Sequence, residues 1–433
     1  MSPSEVGLIG IALLLLLLLL RMHVALAMAL VGFLGLAYLT SFEVAASLLA
    51  KEFFAQFSAY SLSAIPMFVL MGSFAQAAGL GEQLYRAARA LVGAVPGGLS
   101  VATVLACGGF AAISGSSAAT AATMGRMALP EMRRYGYNLA LAGGSVAAAG
   151  TLGILIPPST VLLVYAFLAQ QPVGPLFMAG LLPGILLTLL FALTAYLICR
   201  ARPDLGPTLP PVPWGQRLRA SLAAWPVLLL FLLVVGGLFF GWYGPTQAGA
   251  VGAAGALVLG LLNRRISLWG LLEATQDALR TSTVILALIA GAMVFGRFMA
   301  VTRIPFDIGQ WIGGLELPPY LVFAIIVLIF FVGGFFMDSM ALVVLLMPVV
   351  YPVVLQLGFD PIWFGVIIVL VSELGVITPP VGINVYVIKG IAPEIPLAAL
   401  FRGIMPYILP ILLMIGLLTR WPQIALWLPG LAR

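Results

Sequence analysis

Pro157-Pro158 and Pro379-Pro380 lie inside long apolar runs, and the segments that lead into them match at a spacing of 222 residues, Thr151 to Pro158 against Glu373 to Pro380. Two successive prolines withdraw two backbone donors and push the preceding residue out of the α region, so a helix breaks at each pair. At membrane depth a break frees carbonyls at the end of one half-helix and amides at the start of the next. In lipid that is costly unless an ion, water or substrate satisfies them; a kink packed by its neighbours is the alternative. Ser114, Gly115, Ser116, Ser117 and Thr120 form a hydroxyl-rich cluster midway between Gly98 and Pro130. Hydroxyls and freed carbonyls are the hard oxygen ligands that a small alkali cation prefers, although close helix packing uses the same small residues. Asp338 lies within an apolar stretch that begins near Tyr320, and Glu373 directly precedes the second broken segment. Acids at such depth point to ion or proton coupling; structural ion pairing is the alternative, with Arg303 and Lys389 the nearest cations in sequence.

The elements that must carry these residues are transmembrane helices. Of 433 residues, 63% are hydrophobic and 8% charged, with a mean hydropathy of +1.17, against roughly 25% charged in a soluble domain. Runs such as Leu13 to Leu20 are apolar on every face, and polar-inward alternation is missing, so the chain reads as an all-α polytopic membrane protein rather than a β-barrel. About 30 residues between a Pro-Gly-Gly entry and a basic exit allow a re-entrant helical hairpin with the Ser114 cluster at its tip. Phe336-Met337-Asp338-Ser339 holds the corresponding place in the second half.

Further matches extend the repeat. Tyr135 to Asn138 pairs with Leu357 to Asp360, and Gly108-Gly109-Phe110 with Gly333-Gly334-Phe335. Loop charge then differs between equivalent segments. Arg126, Arg133 and Arg134 mark the first, whereas residues 348–360 carry no Lys or Arg; Arg86 and Arg89 contrast with a 304–319 stretch that holds Asp307 and Glu316. By the positive-inside rule the halves face opposite sides, the pattern of an inverted-topology repeat. Arg200, Arg202, Arg217 and Arg219, and later Arg264, Arg265 and Arg280, read as cytoplasmic, joined through two helices near 221–241 and 245–262.

Several functions are excluded. Lys51 and Lys389 are the two lysines, so no phosphate-binding GK[ST] loop exists. His23 is the sole histidine and sits at a helix end, while Cys107 and Cys199 lie in apolar surroundings; no disulfide framework is available, and neither a zinc site nor a Ser-His-Asp hydrolase is expected. The net charge of +6 is spread over short loops as topology signals, so no nucleic acid partner is expected. The apolar runs 6–20 and 24–39 read as retained helices rather than a signal peptide.

Ala112 to Ser116, Gly150 to Ser159, Phe336 to Ser339 and Thr378 to Asn384, in this order, resemble the large membrane subunit of tripartite ATP-independent periplasmic (TRAP) transporters, over about residues 65–412. The resemblance implies an ion-transporter-type fold with an elevator-like mechanism coupled to sodium. It implies sodium ligands around Ser114, Gly115, Ser116, Ser117, Gly150 and Thr151 in one half and Asp338, Ser339, Glu373, Gly375 and Thr378 in the other. Substrate would lie between the hairpin tips and the restarted helices, near Ser116, Thr120, Pro158, Ser159, Pro380 and Asn384. It implies two separate partners, a small four-helix membrane subunit and a periplasmic substrate-binding protein, with the apolar arm 6–60 as one docking surface. The second half lacks the serine run of the first, so its ion site would lean on Asp338 and backbone carbonyls.

The expected organisation is N-terminal scaffold helices (1–60), a first repeat (61–200; hairpin 98–130, broken helix 138–170), a linker with connecting helices (201–280), a second repeat (281–420; hairpin 319–356, broken helix 361–391) and a tail (421–433). The expected function is sodium-coupled uptake of an organic acid across a bacterial inner membrane, with Na+ as coupling ion, no organic cofactor and no catalysis. A stand-alone proton- or sodium-coupled anion symporter or antiporter is the alternative. An intramembrane lipid enzyme using Ser116 and Asp338 would lack a histidine base, and a purely structural subunit would have no use for Asp338.

Overall fold

The computed structural model describes residues 1–307, 310 and 318–431; Glu316 and the last two residues of the tail lie outside the described residues. All secondary structure among the described residues is helical. The chain opens with α1 (Pro3–Leu19), α2 (Val24–Leu39) and α3 (Phe42–Ser58). Ser2 and Glu5 form a capping box at the start of α1, His23 is the N-cap residue of α2, and the Ser41 hydroxyl caps α3. α4 (Ala64–Ala77) and the amphipathic α5 (Leu80–Val92) follow.

Two helix pairs then fold back on themselves, each followed by a broken helix. The first pair is α6 (Gly98–Ser114) and α7 (Ser117–Arg134); its broken helix is α8 (Leu139–Gly150), a 3-10 turn at Thr151–Ile154 and α9 (Thr160–Leu168). The long α10 (Val173–Ala201) leads to the linker, then to α11 (Trp214–Ala223), α12 (Trp225–Phe231), a π turn at Leu232–Gly236 and the short α13 (Gly237–Phe239). These last pieces form one apolar stretch, Trp214–Phe239. It starts earlier than the expected 221 because Pro213 fixes the entry to the helix just before Trp214. After α14 (Pro245–Leu262) and α15 (Leu268–Thr302), the second pair is α16 (Pro319–Gly334) and α17 (Ser339–Gln356). Its broken helix is α18 (Pro361–Ile377) and α19 (Ile383–Ile391), followed by α20 (Leu397–Arg420) and α21 (Gln423–Leu431).

Both Pro-Pro pairs sit at the breaks, and both peptide bonds are cis. The first break runs from the 3-10 turn to Ser159, whose hydroxyl caps α9 through the Leu162 amide; the second is shorter and ends at Gly382, whose φ of +68° suits glycine. Among the described residues, seven helices are long and apolar enough to cross a membrane. The hairpin arm α6, the broken-helix segments α8 and α18, and α16 are shorter apolar helices.

Two layers result. In one, α15 lies along α2 and α4, and α14 packs on α4. In the other, each hairpin packs on both broken helices: α7 on α8 and also on α19, α17 on α18 and also on α9. Glycine allows the closest crossings. Gly144 and Gly403 bring α8 and α20 backbone to backbone, and a Cβ on Gly375 would lie 2.6 Å from the Phe331 carbonyl and 2.7 Å from Gly334 Cα. On the side bearing Arg133 and Arg134, the Tyr137 hydroxyl accepts from the Leu99 amide (3.1 Å) and donates to the Pro207 carbonyl (2.9 Å). Burial pushes that phenol up to about 12, so it remains a donor holding the hairpin base to the linker.

Candidate functional site

The first tip forms because α6 stops at Ser114 and Gly115 turns left-handed, with φ of +65°. A Cβ there would lie 2.8 Å from the Pro158 carbonyl. The Ser116 hydroxyl caps α7 through the Ala119 amide. Thr160, in the first turn of α9, donates its hydroxyl to the Gly115 carbonyl at 2.7 Å, and the Ser114 and Thr120 hydroxyls meet at 2.6 Å. The first tip is therefore fastened to the first restarted helix.

The second tip is capped by Asp338, whose carboxylate accepts from the Met340 amide at 2.8 Å at the start of α17. Between the tips lies Glu373, on α18 and 3% exposed. Ser117 of the first hairpin donates to one of its carboxylate oxygens and Ser339 of the second donates to the other, each at 2.7 Å. Asn384, on α19, donates to the Ser117 hydroxyl at 2.7 Å and to the Ala147 carbonyl at 3.3 Å. Its own side-chain oxygen is buried and lacks a hydrogen-bond partner among the described residues. Neither Glu373 nor Asp338 forms an ion pair among the described residues. A buried carboxylate with two hydroxyl donors and no cation is an expensive arrangement. A small cation would offset that cost.

These groups face a cavity of about 480 Å³. Ser114, Ser116, Ser117, Asp338, Ser339, Glu373 and Asn384 line it. The other candidates take different places. Thr120 is fully buried beneath the tip, and Gly150 packs against Ala121. Thr151 and Thr378 return their hydroxyls to Ala148 and Leu374 of their own helices, and Ser159 donates to Ile154. Gly375 is spent on the crossing with Gly334. Gly115, Pro157, Pro158, Pro379 and Pro380 shape the breaks and the tip without lining the cavity.

Opposite the tips stands a wall that sequence reasoning did not assign. Val69, Gly72, Ser73 and Gln76 form one face of α4 at helical spacing, and Arg280, Thr281, Val284, Ile285 and Leu288 one face of α15. Gln76, Ser73, Arg280 and Thr281 make one end of this wall polar, while Val69, Val284, Ile285 and Leu288 make the other end apolar. Arg280 is the basic residue of the lining. The polar, small-residue face of α4 was a readable signal; Arg280 was indistinguishable in sequence from a loop charge.

Two hairpins meeting one buried carboxylate beside two broken helices, in a chain of membrane-length helices, is the architecture of a polytopic membrane transporter. The crystal structure of the Alcanivorax borkumensis YdaH transporter, described as having an unusual topology, shares the fold with a TM-score of 0.62 at 16% identity, covering 90% of this chain and 89% of that one. The chain belongs to the family described as tripartite ATP-independent periplasmic transporter, DctM component, whose model matches residues 11–424. It is 36% identical over 383 residues to the C4-dicarboxylate TRAP transporter large permease protein DctM of Pseudomonas aeruginosa, covering 88% of this chain and 89% of that protein. The sialic acid TRAP transporter large permease protein SiaM of Vibrio cholerae is 32% identical over 373 residues, covering 86% and 87%. The chain is a multi-pass inner-membrane protein of this transporter family.

Proposed function

We propose that this chain is the large permease of a sodium-driven importer of an organic acid. The observation that carries the reading is Glu373, whose two oxygens are held by hydroxyls from two separate hairpins. Its unneutralised charge, the Ser114 to Ser117 hydroxyls, the free Asn384 oxygen and the carbonyls at the breaks supply the oxygen ligands of a small hard cation. The hairpins and broken helices are the moving block, and the wall of α4 and α15 is the surface it moves against.

The substrate carboxylate enters between the tips and that wall. There the N-terminal dipoles of the hairpin and restarted helices and the guanidinium of Arg280 favour an anion. An acid substrate agrees with the relatives above, one named for C4-dicarboxylates and the other for sialic acid. The working transporter adds a small four-helix membrane subunit and a periplasmic substrate-binding protein. The outward apolar side chains of α1 to α3, such as Leu8, Leu16, Phe42 and Phe54, suit the former. No step requires catalysis, and the two relatives named above are permeases.

The test is the melting temperature of the purified chain in sodium against potassium at fixed ionic strength. A ligand that binds only the folded state at about 100 times its Kd adds about 2.7 kcal/mol of stability. The expected result is a saturable, sodium-specific rise that Glu373→Gln removes. A folded sample with identical melting in both salts would overturn sodium coupling and favour Glu373 and Asp338 as proton carriers.

A further inference from the structure

A second cavity, of about 400 Å³, lies far from the hairpin tips, between the C-terminal end of α10, the start of α8 and the first turns of α20. Two arginines from different elements reach it. Arg202 stands just past the end of α10, where the chain leaves the helix, and Arg402 lies less than two turns into α20. No acidic residue is in the lining, and neither arginine forms an ion pair among the described residues. The Arg402 Nε donates to the Ala398 carbonyl at 3.3 Å, and its two terminal amino groups have no hydrogen-bond partner among the described residues. The remaining wall is apolar but for Asn138, whose side-chain oxygen is taken by the Ala140 and Leu141 amides, and includes Leu141, Ile198 and Pro406.

Positive charge at a cytoplasmic helix end needs no convergence to set topology. Nearby Arg133 is spent on Glu394. Arg202 and Arg402 instead line one pocket without an ion pair among the described residues, and apart from Asn138 its other side chains are hydrocarbon. A guanidinium fork matches phosphate oxygens, and an apolar wall at a helix end matches the glycerol and first acyl carbons that follow them. Basic pockets between transmembrane helices on the cytoplasmic side take anionic headgroups.

We propose that this pocket is a binding site for one anionic phospholipid, with Arg202 and Arg402 on its phosphodiester. The site is separate from the ion and substrate cavity and does not depend on the function proposed above.

Native mass spectrometry of the full-length chain in mild detergent tests it, with phosphatidylglycerol, phosphatidylcholine and soluble glycerol 3-phosphate as probes. The expected result is one phosphatidylglycerol retained per chain in preference to phosphatidylcholine, with occupancy falling about tenfold in Arg202→Gln/Arg402→Gln. Both side chains are exposed, so the variant should fold, and Arg202→Lys/Arg402→Lys should recover part of the binding by charge alone. Equal retention of the two lipids, undiminished phosphatidylglycerol in the glutamine variant, or equal displacement of lipid by glycerol 3-phosphate would overturn the proposal.

Discussion

Glu373 is bound on both sides by groups distant in sequence, and Ser117 is the joint of the network, donating to the carboxylate and accepting from Asn384. Ser117→Ala leaves a buried carboxylate oxygen without its donor and the Asn384 amide with the longer Ala147 contact alone, a loss of about 1–3 kcal/mol. Residues in one network couple. The double variant Ser117→Ala/Asn384→Ala is therefore expected to lose less stability than the sum of the single variants in detergent unfolding; strict additivity would show that the two side chains act independently. The acids at 338 and 373 were legible in the sequence because a charge in an apolar run has few structural uses. Their partners were not, since the hydroxyls on Glu373 come from chain separations of 256 and 34 residues. Arg280 was legible only as charge; its place on the cavity wall is a property of how α15 lies on α4.

The elements depend on backbone crossings that only glycine permits. Gly375→Ala would drive α18 and α16 apart, since its Cβ has backbone atoms within 2.7 Å, and overpacking of that kind costs about 1–3 kcal/mol. Gly390, near the end of α19, has open space around it, so Gly390→Ala should be neutral or stabilising by up to about 1 kcal/mol. A lowered melting temperature for the first and an unchanged or raised one for the second is the expected pair of outcomes. The helix breaks were legible because proline lacks an amide, and the left-handed turn at Gly115 was at least compatible with the serine cluster around it. The exchange of partners, α7 onto α19 and α17 onto α9, was not. It arises when two similar units pack face to face, and no local pattern encodes which unit supplies the neighbour.

For the whole molecule, the inverted-repeat reading of the loop charges expects the turn after α7 in the cytoplasm and the turn after α17 outside. Cys107 and Cys199 are both buried, so their removal gives a clean background for single cysteines at the exposed positions Arg134 and Gln356. A membrane-impermeant maleimide added to spheroplasts should label Gln356→Cys at once and Arg134→Cys only after permeabilisation; equal labelling of the two would refute opposite orientation of the halves. The glycine crossings bear on the same question. Where Gly375 meets Gly334 and Gly144 meets Gly403, backbone touches backbone with no side-chain rotamer between them to absorb a displacement. On the moving-block reading, the joint of Gly375 with Gly334 stiffens the block, and a stiff block carries its binding site across the membrane with one geometry on both sides. On that reading the site itself has no preferred side, and the direction of net flow is left to the gradients and to the binding protein that loads the outer face alone.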